Sequence, residues 1–195
     1  MRLLFISLLF TLTLSADRCV AYVQQVRVAH SAVFGIDFPY WYGVGQIKQE
    51  SGCRDIISRD GVGSQGVAQI TYRIWQKYLD QKGIYNIDSI GNQLHAQAYI
   101  MQNAKQQAYS SHLWAAYQLY NGGGLINKEI MRARKALHIT DVSHDQAHLF
   151  CKRKIVHFNN GQTRSACDIN YDYSKRIYKY GQEYKTFDTK KYKFW

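Results

Sequence analysis

Apolar positions recur at helical spacing along most of the chain, and they predict a mainly helical protein. The first run covers residues 22–53, where Phe38-Pro-Tyr-Trp-Tyr-Gly-Val-Gly-Gln-Ile47 leads into Lys48-Gln-Glu-Ser-Gly-Cys53. Pro39 suits a helix start and Gly52 a helix end. Residues 54–66 are polar and Gly-rich and read as a loop. Residues 71–82 and 92–109 read as helices, the second with Leu94, Ala98 and Met101 on one side. Residues 112–120 form an apolar helix stopped by Asn121-Gly-Gly-Gly124, and residues 126–138 alternate apolar and basic groups in helical fashion. Ile155-Val-His-Phe158, then Asn159-Asn-Gly161, then Thr163 onward predict a small hairpin, because Asn-Gly is a strong turn signal. The predicted class is mainly α (α+β) with one hairpin.

The N-terminus departs from this amphipathic pattern. Arg2 precedes the apolar run Leu3 to Leu14. One positive charge before a short apolar run, too short to span a bilayer, is the pattern of a secretory signal peptide. Residues 1–16 are expected to be removed, with Ala21 as the alternative cleavage point. Cleavage after Ala16 leaves four cysteines, the even number usual in an oxidising compartment. Cleavage after Ala21 leaves three, although Cys19 suits the peptidase better than Leu14 three places before the cut. Residues 22–140 then form the main domain, and 141–195 a hairpin and a C-terminal extension rich in Tyr and Lys. The expected location is outside the cytoplasm, in the periplasm or cell envelope.

Composition narrows the partner. The 195 residues include 25 Lys and Arg against 14 Asp and Glu, a formal charge of +11, with 46% apolar residues. That is globular composition with an expected anionic partner: nucleic acid, a phospholipid surface or an acidic wall polymer. Export removes nucleic acid and favours the envelope. Sixteen Tyr and four Trp suit stacking on flat ligands such as sugars.

Glu50 is the candidate for chemistry. It lies near the predicted helix C-terminus, where the negative end of the helix dipole raises a carboxyl pKa. If Trp41 or Tyr120 also shields it from water, it stays protonated near neutral pH, as a general acid for glycosidic cleavage requires. Position alone favours a solvated helix-end glutamate. Gly61-Val-Gly-Ser-Gln-Gly66 matches the dinucleotide-binding G-x-G-x-x-G, with Asp88 near the ribose offset, but no apolar strand precedes it and the match reads as a loop. Cys53 fits either a thiol nucleophile or a half-cystine, and export favours the half-cystine. Cys151 and Cys167 flank the hairpin and are expected to pair, leaving Cys53 for Cys19. His138, His144 and His148 lack the acidic residue of a zinc motif, so no metal is expected. The tail from Tyr171 reads either as a basic, aromatic binding arm or as an amphipathic helix packing on the domain.

Three elements in order add to this reading: Glu50-Ser51, then Gly66-Val-Ala-Gln-Ile-Thr71 after a polar loop, then Tyr120-Asn121-Gly122-Gly123 at a helix end. Together they resemble the lytic transglycosylase family of the lysozyme-like superfamily, over about residues 38–138. Val67-Ala68 stands where that family has Leu-Met, and Leu119 where it has Ala. The resemblance implies a lysozyme-like helical domain that cleaves peptidoglycan glycan strands between N-acetylmuramic acid and N-acetylglucosamine. Glu50 would be the single catalytic acid, then base. Ser51 would bond near the reacting centre, Gln69 would contact a flanking sugar, Tyr120 would orient Glu50 and Asn121 would help hold substrate. The muramyl C6 hydroxyl attacks its own anomeric carbon, giving an anhydro-muramyl product without a second carboxylate. The resemblance implies no cofactor and a monomer. The alternatives are a goose-type, hydrolytic muramidase, in which Asp55 or Asp60 would position a water, and a non-catalytic envelope-binding protein. Service to a secretion, conjugation or phage machine stays open.

Overall fold

A computed structural model describes residues 17–58, 61–152, 154–158, 160–186 and 191–195. The expected signal peptide, Asp60 and Asn159 lie outside the described residues. A short 3-10 segment, Arg18–Tyr22, runs into α1 (Val23–Phe34), followed by α2 (Trp41–Ser51), α3 (Tyr72–Asp80), α4 (Ile90–Gln107), α5 (Leu113–Gly122), α6 (Leu125–Leu137) and α7 (His144–Leu149). The two strands β1 (Ile155–His157) and β2 (Thr163–Ser165) lead into α8 (Ala166–Gln182). The fold is mainly α with one small antiparallel sheet, as the pattern predicts.

The elements form where local chemistry favours them. The single run expected over 22–53 is two helices, because Gly35 (φ 91°) ends α1 and the chain turns through Pro39 before α2 starts. Gly52 takes the left-handed conformation that closes α2. Leu94, Ala98 and Met101 are all fully buried on α4. α5 includes Asn121 and Gly122 and stops at Gly123, two residues later than expected. In the hairpin, Ile155 faces Ser165 and His157 faces Thr163, and the Gly161 amide donates to the Phe158 carbonyl to close the turn.

The C-terminal segment is helical, but it is more than an appendage. α8 makes extensive contact with α2 and also packs on α5. Gly45 of α2 and Gly181 of α8 allow the close approach: a Cβ at Gly45 would sit 2.5 Å from the Ile177 carbonyl, and one at Gly181 2.6 Å from the Tyr42 ring. Beyond α8, Phe194 is buried against Tyr42, Tyr117 and Tyr178. The Lys193 and Phe194 carbonyls accept from the Leu113 and Trp114 amides, satisfying donors that have no partner within α5. The boundary near residue 140 therefore divides the sequence and not the core. Tyr173 and Phe194 face inward, so the segment is not a free binding arm.

Disulfides join Cys19 to Cys53 and Cys151 to Cys167, and no cysteine is free. Cys53 is thus a half-cystine and not a nucleophile. Among the described residues, no helix is long and apolar enough to cross a membrane.

Candidate active site

An open cleft of about 720 Å³ runs between Ser58 and the 64–75 segment, α4 and the junction of α5 with α6. Glu50 lies in its wall, on the last turn of α2, together with Gln69, Tyr120 and Asn121. Ile74 and Trp75 of α3 and Asn103 and Gln107 of α4 extend the wall with apolar and amide groups. Such a mixture suits a ligand with apolar faces and polar edges.

Glu50 is only partly exposed. Burial pushes its carboxyl from the ordinary 4.5 up to about 7, against a hydrogen bond from Tyr173 that favours the charged form. The α2 C-terminus acts in the same upward direction. The Tyr173 hydroxyl donates to Glu50 Oε1. It is fixed in turn by a buried amide chain: Gln46 Nε2 donates to the Tyr173 oxygen at 3.4 Å, and Gln97 Nε2 donates to Gln46 Oε1 at 2.8 Å and to the Gly43 carbonyl at 3.1 Å. The carboxyl is therefore held in one orientation at the cleft wall, protonated about half the time near neutral pH.

Tyr120 does not hold Glu50. Its hydroxyl donates to the Ala68 carbonyl at 3.2 Å, fixing the 66–70 loop, and burial, with the charge of Glu50 adding to it, disfavours ionisation of the phenol. The contact expected from Tyr120 comes instead from Tyr173 of α8.

Ser51 is displaced from its expected role too. It is buried, donates to the Val67 carbonyl at 2.8 Å and the Ile47 carbonyl at 3.2 Å, and accepts from the Arg54 amide at 3.0 Å. It does not line the cleft; it ties the end of α2 to the loop that carries Gln69. Gln69 lines the cleft with a left-handed backbone (φ 48°), and its amide nitrogen donates to the Ile56 and Gly66 carbonyls at 2.9 and 2.8 Å. Most of its donor capacity is spent shaping the loop. Asn121 is exposed in the cleft, and its amide donates to Asn170 Oδ1 of α8 at 2.6 Å. Gly122 makes that contact feasible, since a Cβ there would lie 1.9 Å from the Asn170 amide.

The other candidates resolve by placement. Ser64 of the Gly61–Gly66 segment lines the cleft, and the segment is a loop bridged to Ile57 and Ile70, with no parallel strand among the described residues. His144 is buried against Tyr171, with Nε2 2.9 Å from Ser174 Oγ. His148 pairs with Asp168 at 3.2 Å, and His138 closes α6 in a left-handed conformation. The three histidines do not converge on one point. Asp55 accepts from Gln93 Nε2 at 3.0 Å and does not line the cleft.

Tyr173 and Asn170 are not singled out by the hydrophobic period. The inward face of α8 is Cys167, Asn170, Tyr173, Ser174, Ile177 and Gly181, which has helical spacing but mixes apolar with polar and small residues. Comparison of the chain with protein-family models, curated proteins and solved structures finds no match.

Proposed function

We propose that the protein is a peptidoglycan lytic transglycosylase acting in the cell envelope. The observation that carries this reading is Glu50: a carboxyl with its affinity for a proton raised to about 7 by burial, in the wall of an open, sugar-sized cleft. It is the only acidic side chain among the described residues lining that cleft. Glu50 donates its proton to the glycosidic oxygen as the muramyl–glucosaminyl bond breaks. The resulting carboxylate then removes the proton from the muramyl C6 hydroxyl as that oxygen closes on the anomeric carbon. A nucleophile tethered to the substrate needs little further ordering, which suits a site with one carboxyl. A hydrolase of the usual kind uses a second carboxylate to aim a water; of the two candidates, Asp55 accepts from Gln93 and does not line the cleft, and Asp60 lies outside the described residues. The charge of +11 draws the protein to an anionic wall.

Digestion of purified peptidoglycan followed by chromatography with mass detection tests the reading. The expected products carry anhydro-muramyl ends, one water lighter than hydrolytic products. Reducing muramyl ends as the main product would replace the transglycosylase with a muramidase. Failure to release any fragment would remove the enzymatic reading.

A further inference from the structure

A second acidic group is buried away from the cleft. Glu129, on the inward face of α6, is 4% exposed, and burial pushes its carboxyl up to about 7, against the pull of Arg132 one turn on. It lies beside the Cys151–Cys167 disulfide: a carboxylate oxygen and the two sulfurs are all within 4.8 Å of one another. A buried carboxyl is costly unless it is neutral or in use, and the mechanism at Glu50 does not use this one.

The disulfide beside it is reachable. A small cleft of about 110 Å³, lined by His148, Leu149, Cys151, Cys167 and Asp168, opens onto the bridge. Leu149 at its lip is 79% exposed. Cys151 is partly exposed and Cys167 is buried, so an incoming sulfur meets Cys151 first. By contrast Cys19 and Cys53 are each only 2% exposed. Cys167 is the second residue of α8, where the helix N-terminus stabilises a thiolate and makes it the better leaving group. The Lys152 carbonyl lies 3.7 Å from Cys151 Sγ and 3.5 Å from Cys167 Sγ, placed to accept an S–H from either once the bridge is open.

We propose that Cys151–Cys167 is an exchangeable disulfide, opened by a dithiol reductant, with Glu129 as the proton donor to the departing Cys167 sulfur. A thiolate of the dithiol attacks Cys151 Sγ. The S–S bond breaks, its electron pair goes to Cys167, and the Glu129 proton converts that sulfur to a thiol. The second thiolate of the reductant then attacks its own sulfur in the mixed disulfide and releases Cys151. The dithiol leaves as a disulfide, so one bridge is reduced and one formed. Among the described residues, the other ionisable groups around this place are Arg132 on α6, His148 on α7, Lys152 in the connection and Asp168 on α8.

Treating the native protein with dithiothreitol, quenching with an alkylating agent and mapping the peptides tests the proposal. Cys151–Cys167 is expected to open at least about tenfold faster than Cys19–Cys53. Its rate per dithiothreitol thiolate should fall as pH rises through about 7, where Glu129 loses its proton. Glu129→Gln should slow opening by about tenfold or more below that pH and flatten the profile. Opening of Cys19–Cys53 first or together with it overturns the proposal. A flat profile in the native protein does so as well, even where Glu129→Gln does not fold. A Glu129→Gln protein with native rate and profile has the same consequence. None of these readouts depends on the activity proposed for Glu50.

Discussion

Burial lifts the Glu50 carboxyl from 4.5 to about 7, and this one shift gives activity and stability the same pH direction. The general acid must hold its proton, so the rate on peptidoglycan should fall as pH rises through about 7. In the folded protein the neutral form is favoured over its level in the unfolded chain. That stabilisation is complete below the unfolded value of 4.5 and is lost as pH rises through about 7. Glu50→Gln removes the acid and also the cost of a buried charge. We expect at least about a 10²–10⁴-fold loss of activity. At about pH 8 the variant should match or exceed the native protein in urea unfolding, by at most about 3 kcal/mol. Wild-type digestion rates from the folded variant would remove Glu50 from the mechanism. Tyr173→Phe acts on the same group from the other side. The lost hydrogen bond favours the charged carboxylate, so the alkaline limb of the rate profile should move up by about one pH unit. An unmoved limb would mean that Tyr173 is packing only.

The α2–α8 pair carries the site, and its geometry depends on small residues. Glu50 leaves the end of α2, Tyr173 and Asn170 come from α8, and Gly45 and Gly181 allow the two backbones to meet. Gly45→Ala should therefore lower stability by about 1–3 kcal/mol, read as a lower urea midpoint, because its Cβ meets backbone that cannot swing aside. An unchanged midpoint would show that the helices can separate at no cost. The same pair marks the limit of what sequence pattern reveals. α3 to α6 and the hairpin follow apolar period and Asn-Gly turn chemistry, and each falls within two residues of its expected place. Glu50, Gln69, Tyr120 and Asn121 meet at one cleft because each stands at a helix end or a loop turned toward it. The partner of Glu50 is not legible in the sequence because the face that α8 buries mixes Cys167 and Ile177 with Asn170, Tyr173, Ser174 and Gly181, a pattern that marks a packed helix without marking which polar residue meets the site. Ser51 shows the converse: a serine beside the acid invites a chemical role, and burial commits its hydroxyl to the Val67 carbonyl instead.

At the scale of the whole chain, the first described residues are stitched to the last helix. Lys48 Nζ donates to Asp17 at 3.2 Å, to Glu183 and to the Tyr184 oxygen at 3.0 Å, and the Tyr184 hydroxyl donates to Asp17. Asp17 also caps the 3-10 segment by accepting from the Cys19 amide, and Cys19 is buried in its bridge to Cys53. These contacts bear on where an exported chain would be cut. Small-residue preference points to Ala21, with Cys19 three places before the cut. That cut would remove Asp17 and Cys19 together, leave Cys53 as a buried odd thiol, and release a loop with a sequence separation of 34 residues. Losing a closure of that length destabilises by about 4 kcal/mol in the chain-entropy model, a large part of the stability of an ordinary domain. Cleavage after Ala16 keeps every one of these contacts and starts the mature chain at Asp17. For a protein acting in the cell envelope as proposed, N-terminal sequencing and intact mass of the mature chain should give a start at Asp-Arg-Cys with two disulfides and no titratable thiol. A chain beginning at Tyr22 with three cysteines would show that the Asp17–Lys48 stitch and the Cys19–Cys53 bridge are dispensable to the mature fold.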